Sequence, residues 1–163
     1  MVFVMKTMVY IIIGLFAAIG LYFVGLSVYS RKAPQLGMLN NHLRACPPTP
    51  NCVTSEQEGT DDYVEPLKVT TTLDDAWRNA KMAIVESGGH IMTEHDGYLR
   101  AYFVTPLMRY VDDVELRRDS RNQVIQIRSA SRVGRSDLGA NRSRVKKIRM
   151  AFAKLNVPAP SRH

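Results

Sequence analysis

The sequence predicts an α+β fold, an antiparallel β-meander of about four to five strands with two helices packed on one face, preceded by one transmembrane helix. Three observations carry this prediction. Met8 to Tyr29 contains no charged residue over 22 positions. Thr72 to Gly89 and Leu138 to Leu155 repeat apolar residues at helical spacing. Between those two stretches, apolar–polar alternation is broken only by turn-forming residues, as antiparallel strands require.

As a helix rising about 1.5 Å per residue, Met8–Tyr29 would extend roughly 33 Å, enough to cross a hydrocarbon core of about 30 Å. Tyr10 and Tyr29 stand near its two ends, where amphipathic rings favour the headgroup level. A cleaved signal peptide is the alternative. The run exceeds the usual h-region of about 7–15 residues, however, and bulky Tyr29 spoils a small-x-small cleavage site. Residues 1–30 therefore read as a retained anchor, and no cysteine follows closely enough for lipoprotein processing. Flanking charge leaves orientation open, with the amino terminus and Lys6 on one side and Arg31 and Lys32 on the other.

Residues 31–45 read as a linker. Cys46 and Cys52 then bracket a proline-rich loop, CPPTPNC, and are the only cysteines. An even count at short, turn-rich spacing points to a disulfide in an oxidising compartment. Two free buried cysteines are the bland alternative. Zinc would take four ligands, and only His42 lies near the pair, so neither metal nor cofactor is expected. The expected location is the bacterial inner membrane, single-pass, with the carboxy-terminal domain periplasmic.

Residues 46–157 form the expected soluble domain and residues 158–163 a disordered tail. Within the domain, Thr54–Asp62 reads as loop and Leu67–Thr71 as a strand entered through Pro66. Thr72 caps the next helix, Leu73, Trp77, Ala80 and Ile84 share its inner face, and Gly88-Gly89 ends it. HIMTEH-DG-YLRAYFV reads as a hairpin about a type I′ Asp96-Gly97 turn. Leu107–Arg118 and Gln123–Val133 follow as longer strands. In the last helix, Leu138, Val145 and Phe152 and the series Asn141, Ile148 and Leu155 make one inward stripe.

Centring the last hairpin on its polar turn pairs Leu116 with Ile125, Val114 with Ile127, Asp112 with Ser129 and Tyr110 with Ser131 on the inner face. It pairs Asp113 with Arg128 and Glu115 with Gln126 on the outer face. Asp112 then lies on the apolar side, where a carboxylate needs partners. Ser129, Ser131 and Asn141 are candidates, with Arg132 or Arg135 within reach from the adjoining loop.

Arg128 to Arg149 holds eight cationic residues against one anionic residue, Asp137, so its formal charge of +7 equals that of the whole protein. This basic stretch marks the place to seek a ligand. Ser136 or Asp137 should cap the last helix, whose start, flanked by Arg132, Arg135 and Arg142, has the makings of an anion pocket. The candidate ligand-binding residues are Arg128, Ser129, Ser131, Arg132, Arg135, Asp137, Asn141 and Arg142. The plainer alternative is that Arg144, Lys146, Lys147 and Arg149 line a solvated helix face.

Catalysis finds little support. Alternation sends Asp112 to the face opposite Asp113 and Glu115. The histidines are scattered, and GxSxG, P-loop and CxxC motifs are absent. The leading expectation is an extracytoplasmic accessory or binding domain for anionic lipid, an envelope polymer or another membrane protein. The alternative is an envelope enzyme acting on a phosphorylated or carboxylated substrate, with Asp112 as acid/base beside Asp113 and Glu115. Nucleic-acid binding is disfavoured by the outside location and by the lack of aromatic residues in the basic stretch.

CPPTPNCVTS, YVEPL, YVDDVELR and IRSASRVGRSDLGANRSRV together resemble the family known as domain of unknown function 1499, over Leu43 to Leu155. Thr54 departs from the family pattern, which has serine there. The resemblance implies an amino-terminal membrane or export segment and no assigned activity. It marks as signature positions Cys46, Asn51, Cys52, Asp112, Asp113, Glu115, Arg128, Ser129, Ser131, Arg132, Gly134, Asp137, Gly139, Asn141 and Arg142.

Overall fold

An apolar helix, α1 (Val2–Ser30), leads the chain in the computed structural model, which describes residues 2–157. The expected tail, 158–163, lies outside the described residues. Beyond α1, residues 38–43 form a small hairpin, β1 (Met38–Leu39) and β2 (His42–Leu43), turned by Asn40 and Asn41 with φ of 51° and 62°. Next come β3 (Cys52–Thr54), β4 (Leu67–Lys68), α2 (Leu73–Glu86), β5 (His90–His95), β6 (Tyr98–Val104), β7 (Val111–Asp119), β8 (Val124–Ser131) and α3 (Ala140–Leu155). The fold class is α+β.

The main sheet has six strands, all antiparallel. β5 to β8 are the expected meander, and both β3 and β4 pair with the far edge of β8. These two short strands stand where the sequence suggests a disulfide loop and a longer Leu67–Thr71 strand.

Local chemistry explains the elements. The Thr72 hydroxyl accepts from the Asp75 amide at 3.1 Å, opening α2, and Gly88 closes it at a φ of 91°. Asp96 and Gly97, at φ of 47° and 75°, make the expected tight turn. At the β7–β8 turn, the Asp119 carboxylate accepts from the Asn122 amide at 3.1 Å, so Asp119 stays in its strand and the loop is residues 120–123. The register therefore differs from expectation by two residues. Leu116 faces Ile127, Val114 faces Ser129, Asp112 faces Ser131 and Glu115 faces Arg128. A two-residue slip preserves the face of each residue that stays in the strands, but Tyr110, expected to face Ser131, lies in the loop before β7.

Both helices pack on the inner face, as expected. Trp77, Ala80 and Ile84 of α2 and Val145, Ile148 and Phe152 of α3 meet Leu99, Leu116, Ile125 and Ile127 of the sheet. Full burial of each large apolar side chain contributes about 1.5–3 kcal/mol. Leu138 does not join the stripe. It lies before α3 with a φ of 52° and is 96% exposed, because the helix starts only at Ala140.

The outer face of the sheet is covered as well. Segment 34–43 and residues Ser55 and Glu56 lie across it, so Asp113, Glu115, Arg117 and Arg128 are buried rather than solvated. The stretch read as a linker thus holds a hairpin laid on the sheet.

Candidate functional site

Two polar clusters sit back to back across β7 and β8. On the inner face, Asn141 of α3 is wholly buried. Its side-chain oxygen accepts from the Ser129 hydroxyl at 2.6 Å, and its amide nitrogen donates to the Asn51 carbonyl at 2.8 Å and to Ser131 Oγ at 3.0 Å. Asn51 in turn donates from Nδ2 to the Gly134 carbonyl at 2.7 Å. One buried asparagine therefore ties α3, β8, the disulfide loop and the Gly134 turn together.

Asp112 belongs to this cluster, but its ion-pair partner is Arg144 and not Arg132 or Arg135. The Arg144 guanidinium also donates to Ser129 and Asn141 and lies 5.2 Å from the Phe103 ring centroid. Asp112 is 2% exposed. Arg144 follows Asn141 by three residues, a spacing that places it beside Asn141 on the helix and could have flagged it from sequence.

The outer cluster is built from arginine–carboxylate pairs. Glu115 Oε2 accepts from Arg128 Nη1 at 2.7 Å, directly across the strand pair. Its Oε1 accepts from the Tyr98 hydroxyl at 2.7 Å and from the Gly37 amide at 3.1 Å. Burial, then the adjoining Glu115 charge, pushes the Tyr98 hydroxyl well above the ordinary tyrosine range. Asp113 is gripped by two arginines, Arg100 at 2.9 Å and Arg132 at 2.7 Å. Those arginines also donate backward along the chain, Arg100 to the Pro34 carbonyl and Arg132 to the Ser30 carbonyl, each at 3.1 Å.

Glu56 completes the layer. It pairs bidentately with Arg117 and accepts from His42 at 2.8 Å and the Leu43 amide at 3.1 Å. Burial alone would raise the Glu56 carboxyl. The bonds from Arg117, His42 and Leu43 outweigh it and hold the group below its usual range. Sequence reasoning singled out Asp113, Glu115, Arg128 and Arg132 but missed Glu56, Tyr98, Arg100 and Arg117. Their partners are far off in sequence and come together only through sheet order.

A third feature is a groove of about 670 Å³ at the head of α3. Its walls are Cys46–Pro50, Gln57, Asp61, Asp62, Asp137 and Arg142. Cys46 and Cys52 are joined in a disulfide, with Cα atoms 5.6 Å apart. The α3 amino terminus, expected to receive an anion, is occupied by its own chain. Asp137 accepts from the Gly139 amide at 3.0 Å and the Asn141 amide at 2.7 Å. Arg142 donates to the carbonyls of Tyr63 at 2.8 Å and Asp61 at 2.6 Å. Arg132 lies on the other side of the sheet, and Arg135 is exposed.

The eight expected ligand-binding residues are thus dispersed. Ser129, Ser131 and Asn141 form the inner cluster, Arg128 and Arg132 the outer one, Asp137 and Arg142 the groove, and Arg135 the surface. Among the described residues, no three His, Cys, Asp or Glu side chains come together as a metal site would require.

Fold and site together define an α+β domain whose buried arginine–carboxylate pairs fasten the segment leaving an apolar helix long enough to cross a membrane. The chain belongs to the family described as protein of unknown function DUF1499, whose model matches residues 42–152. No curated protein matches the chain.

Proposed function

We propose that this chain is a membrane-anchored extracytoplasmic accessory domain, without catalysis of its own, that offers a cationic surface to an anionic lipid, envelope polymer or partner protein. One observation carries the reading. Of the eight cations between Arg128 and Arg149, only Arg128, Arg132 and Arg144 are neutralised by carboxylates. The other five have no carboxylate partner among the described residues. Arg142, Lys147 and Arg149 donate only to backbone carbonyls, which leave their charge intact.

The disulfide supports an oxidising side of the membrane, and the exposed apolar α1 supports an anchor. An envelope enzyme using Asp112 would need that carboxylate open to substrate. Asp112 lies buried on Arg144, while Asp113 and Glu115 lie buried beneath segment 34–43.

Titration of the full chain in neutral detergent micelles with phosphatidylglycerol and with a soluble polyphosphate tests this. Binding should weaken with salt. Arg142→Gln, Lys146→Gln and Arg149→Gln should each lower affinity several-fold, since a cation near an anionic surface contributes about 1 kcal/mol. Equal affinity for neutral lipid, or indifference to salt, would contradict the reading.

A further inference from the structure

Among the described residues of α1, only Ser27 and Ser30 are buried, and both bond to the segment 109–111 that leads into β7. The Val111 amide donates to Ser30 Oγ at 3.1 Å, and Ser27 Oγ reaches the Arg109 carbonyl at 3.4 Å. Ser27 lies three residues back toward the apolar run, about 4.5 Å along the helix axis. The loop before β7 therefore runs alongside the helix in the direction of the membrane, past the point where the chain leaves it.

The tip of that loop presents apolar side chains to the surroundings. Leu107 is 86% exposed and Met108 38%. The tip is also held in place. The Thr105 amide donates to the Tyr110 carbonyl at 2.8 Å, the Arg109 amide to the Thr105 carbonyl at 3.1 Å, and the Tyr110 amide to Thr105 Oγ1 at 2.9 Å. Exposed cations flank both features, Arg109 directly after the tip and Arg31 and Lys32 directly after the end of α1. The Arg132 bridge from Asp113 to the Ser30 carbonyl fastens the helix end to the sheet, so loop and helix keep one mutual orientation.

We infer that the Pro106–Met108 tip enters the interface of the same phospholipid bilayer that α1 crosses, giving the domain a second membrane contact that sets its orientation. The side chains match the depth. Leu107 and Met108 suit the boundary between headgroups and acyl chains, and Arg31, Lys32 and Arg109 suit the phosphates just above it. With helix and domain fastened together, a single span would leave the tilt of the whole in the bilayer free; a span and a wedge fix it. This inference rests on the proposed anchoring of α1.

The test uses the full chain in phosphatidylcholine–phosphatidylglycerol vesicles, with its disulfide intact and one added thiol carrying an environment-sensitive fluorophore. The sites are Leu107→Cys, Leu15→Cys in the span and Lys154→Cys on the far helix. Lipid-borne quenchers placed shallow or deep, and aqueous iodide, read the depth. The expected result is a blue-shifted Leu107→Cys probe that loses emission to the shallow quencher. The Leu15→Cys probe should respond to the deep quencher and the Lys154→Cys probe only to iodide. Iodide quenching of the Leu107→Cys probe, with Leu15→Cys still quenched from within the bilayer, would overturn the wedge and leave the anchor standing. A Leu15→Cys probe quenched by iodide alone would overturn both.

Discussion

Asn141 shows how a single polar side chain can organise this domain. Buried in the stripe of α3, it satisfies Ser129, Ser131 and the Asn51 carbonyl at once. A buried amide that lost these partners would be costly, and so would the partners left behind. Asn141→Ala should lower stability by about 2–3 kcal/mol, read as a fall in the thermal midpoint of the full chain in non-ionic detergent. A change within about 0.5 kcal/mol, the range of ordinary surface substitutions, would mean that the network is not holding the loops together. The buried arginine–carboxylate pairs obey the same logic. Pairing them with good geometry approximately offsets their desolvation, while removal of one partner leaves an uncompensated charge.

At the scale of elements, the β7–β8 turn carries a titratable clasp. Asp119 accepts from the Asn122 backbone and side chain, from Gln126 at 3.3 Å and from Arg117 at 3.2 Å. Burial opposes ionisation, but these donors prevail and lower the Asp119 carboxyl to about 2. Because the folded value is depressed, the stabilisation is present above the unfolded value of about 3.9 and is lost as pH falls toward about 2. Asp119→Ala should therefore cost about 1–2 kcal/mol at pH 5–7, and the gap to the unsubstituted chain should close as pH falls from 4 to 2. Thermal unfolding over that range measures it; a gap that stays constant would contradict the clasp.

This turn also explains what could and could not be read from sequence. Alternation reads strands over Leu107–Arg118 and Gln123–Val133 and assigns their residues to faces; the structure keeps Val111–Asp119 and Val124–Ser131 as strands and leaves residues 105–110 as a loop. The pairing depends on whether Asp119 belongs to strand or turn, and its bonds to Asn122 decide that in three dimensions. α2 and the Asp96-Gly97 hairpin were legible because cap and turn chemistry is local. β3 was not, because three residues show no periodicity, and the strand read at Leu67–Thr71 is only Leu67–Lys68, because β3 and β4 both exist by adding to the edge of β8. In the site, Asn141 and the β7 carboxylates stood out as polar groups at regular positions. Segment 34–43 did not, although it is what buries Glu115.

For the whole molecule, the buried pairs and the helix exit form one continuous structure. Arg132 joins Asp113 to the last turn of α1, and Arg100 joins it to Pro34. The last turn of α1 is thus tied directly to the sheet, while Arg142, Lys146 and Lys147 of α3 are exposed. This arrangement is consistent with the proposed tethered accessory domain. On the proposed reading, α1 crosses a membrane and holds the domain on its oxidising side. Labelling of spheroplasts with a membrane-impermeant maleimide distinguishes the two sides. Cys46 and Cys52 should stay unlabelled until reductant is added and then react in intact spheroplasts. Labelling without reductant, and only after lysis, would place reduced thiols inside and contradict the account.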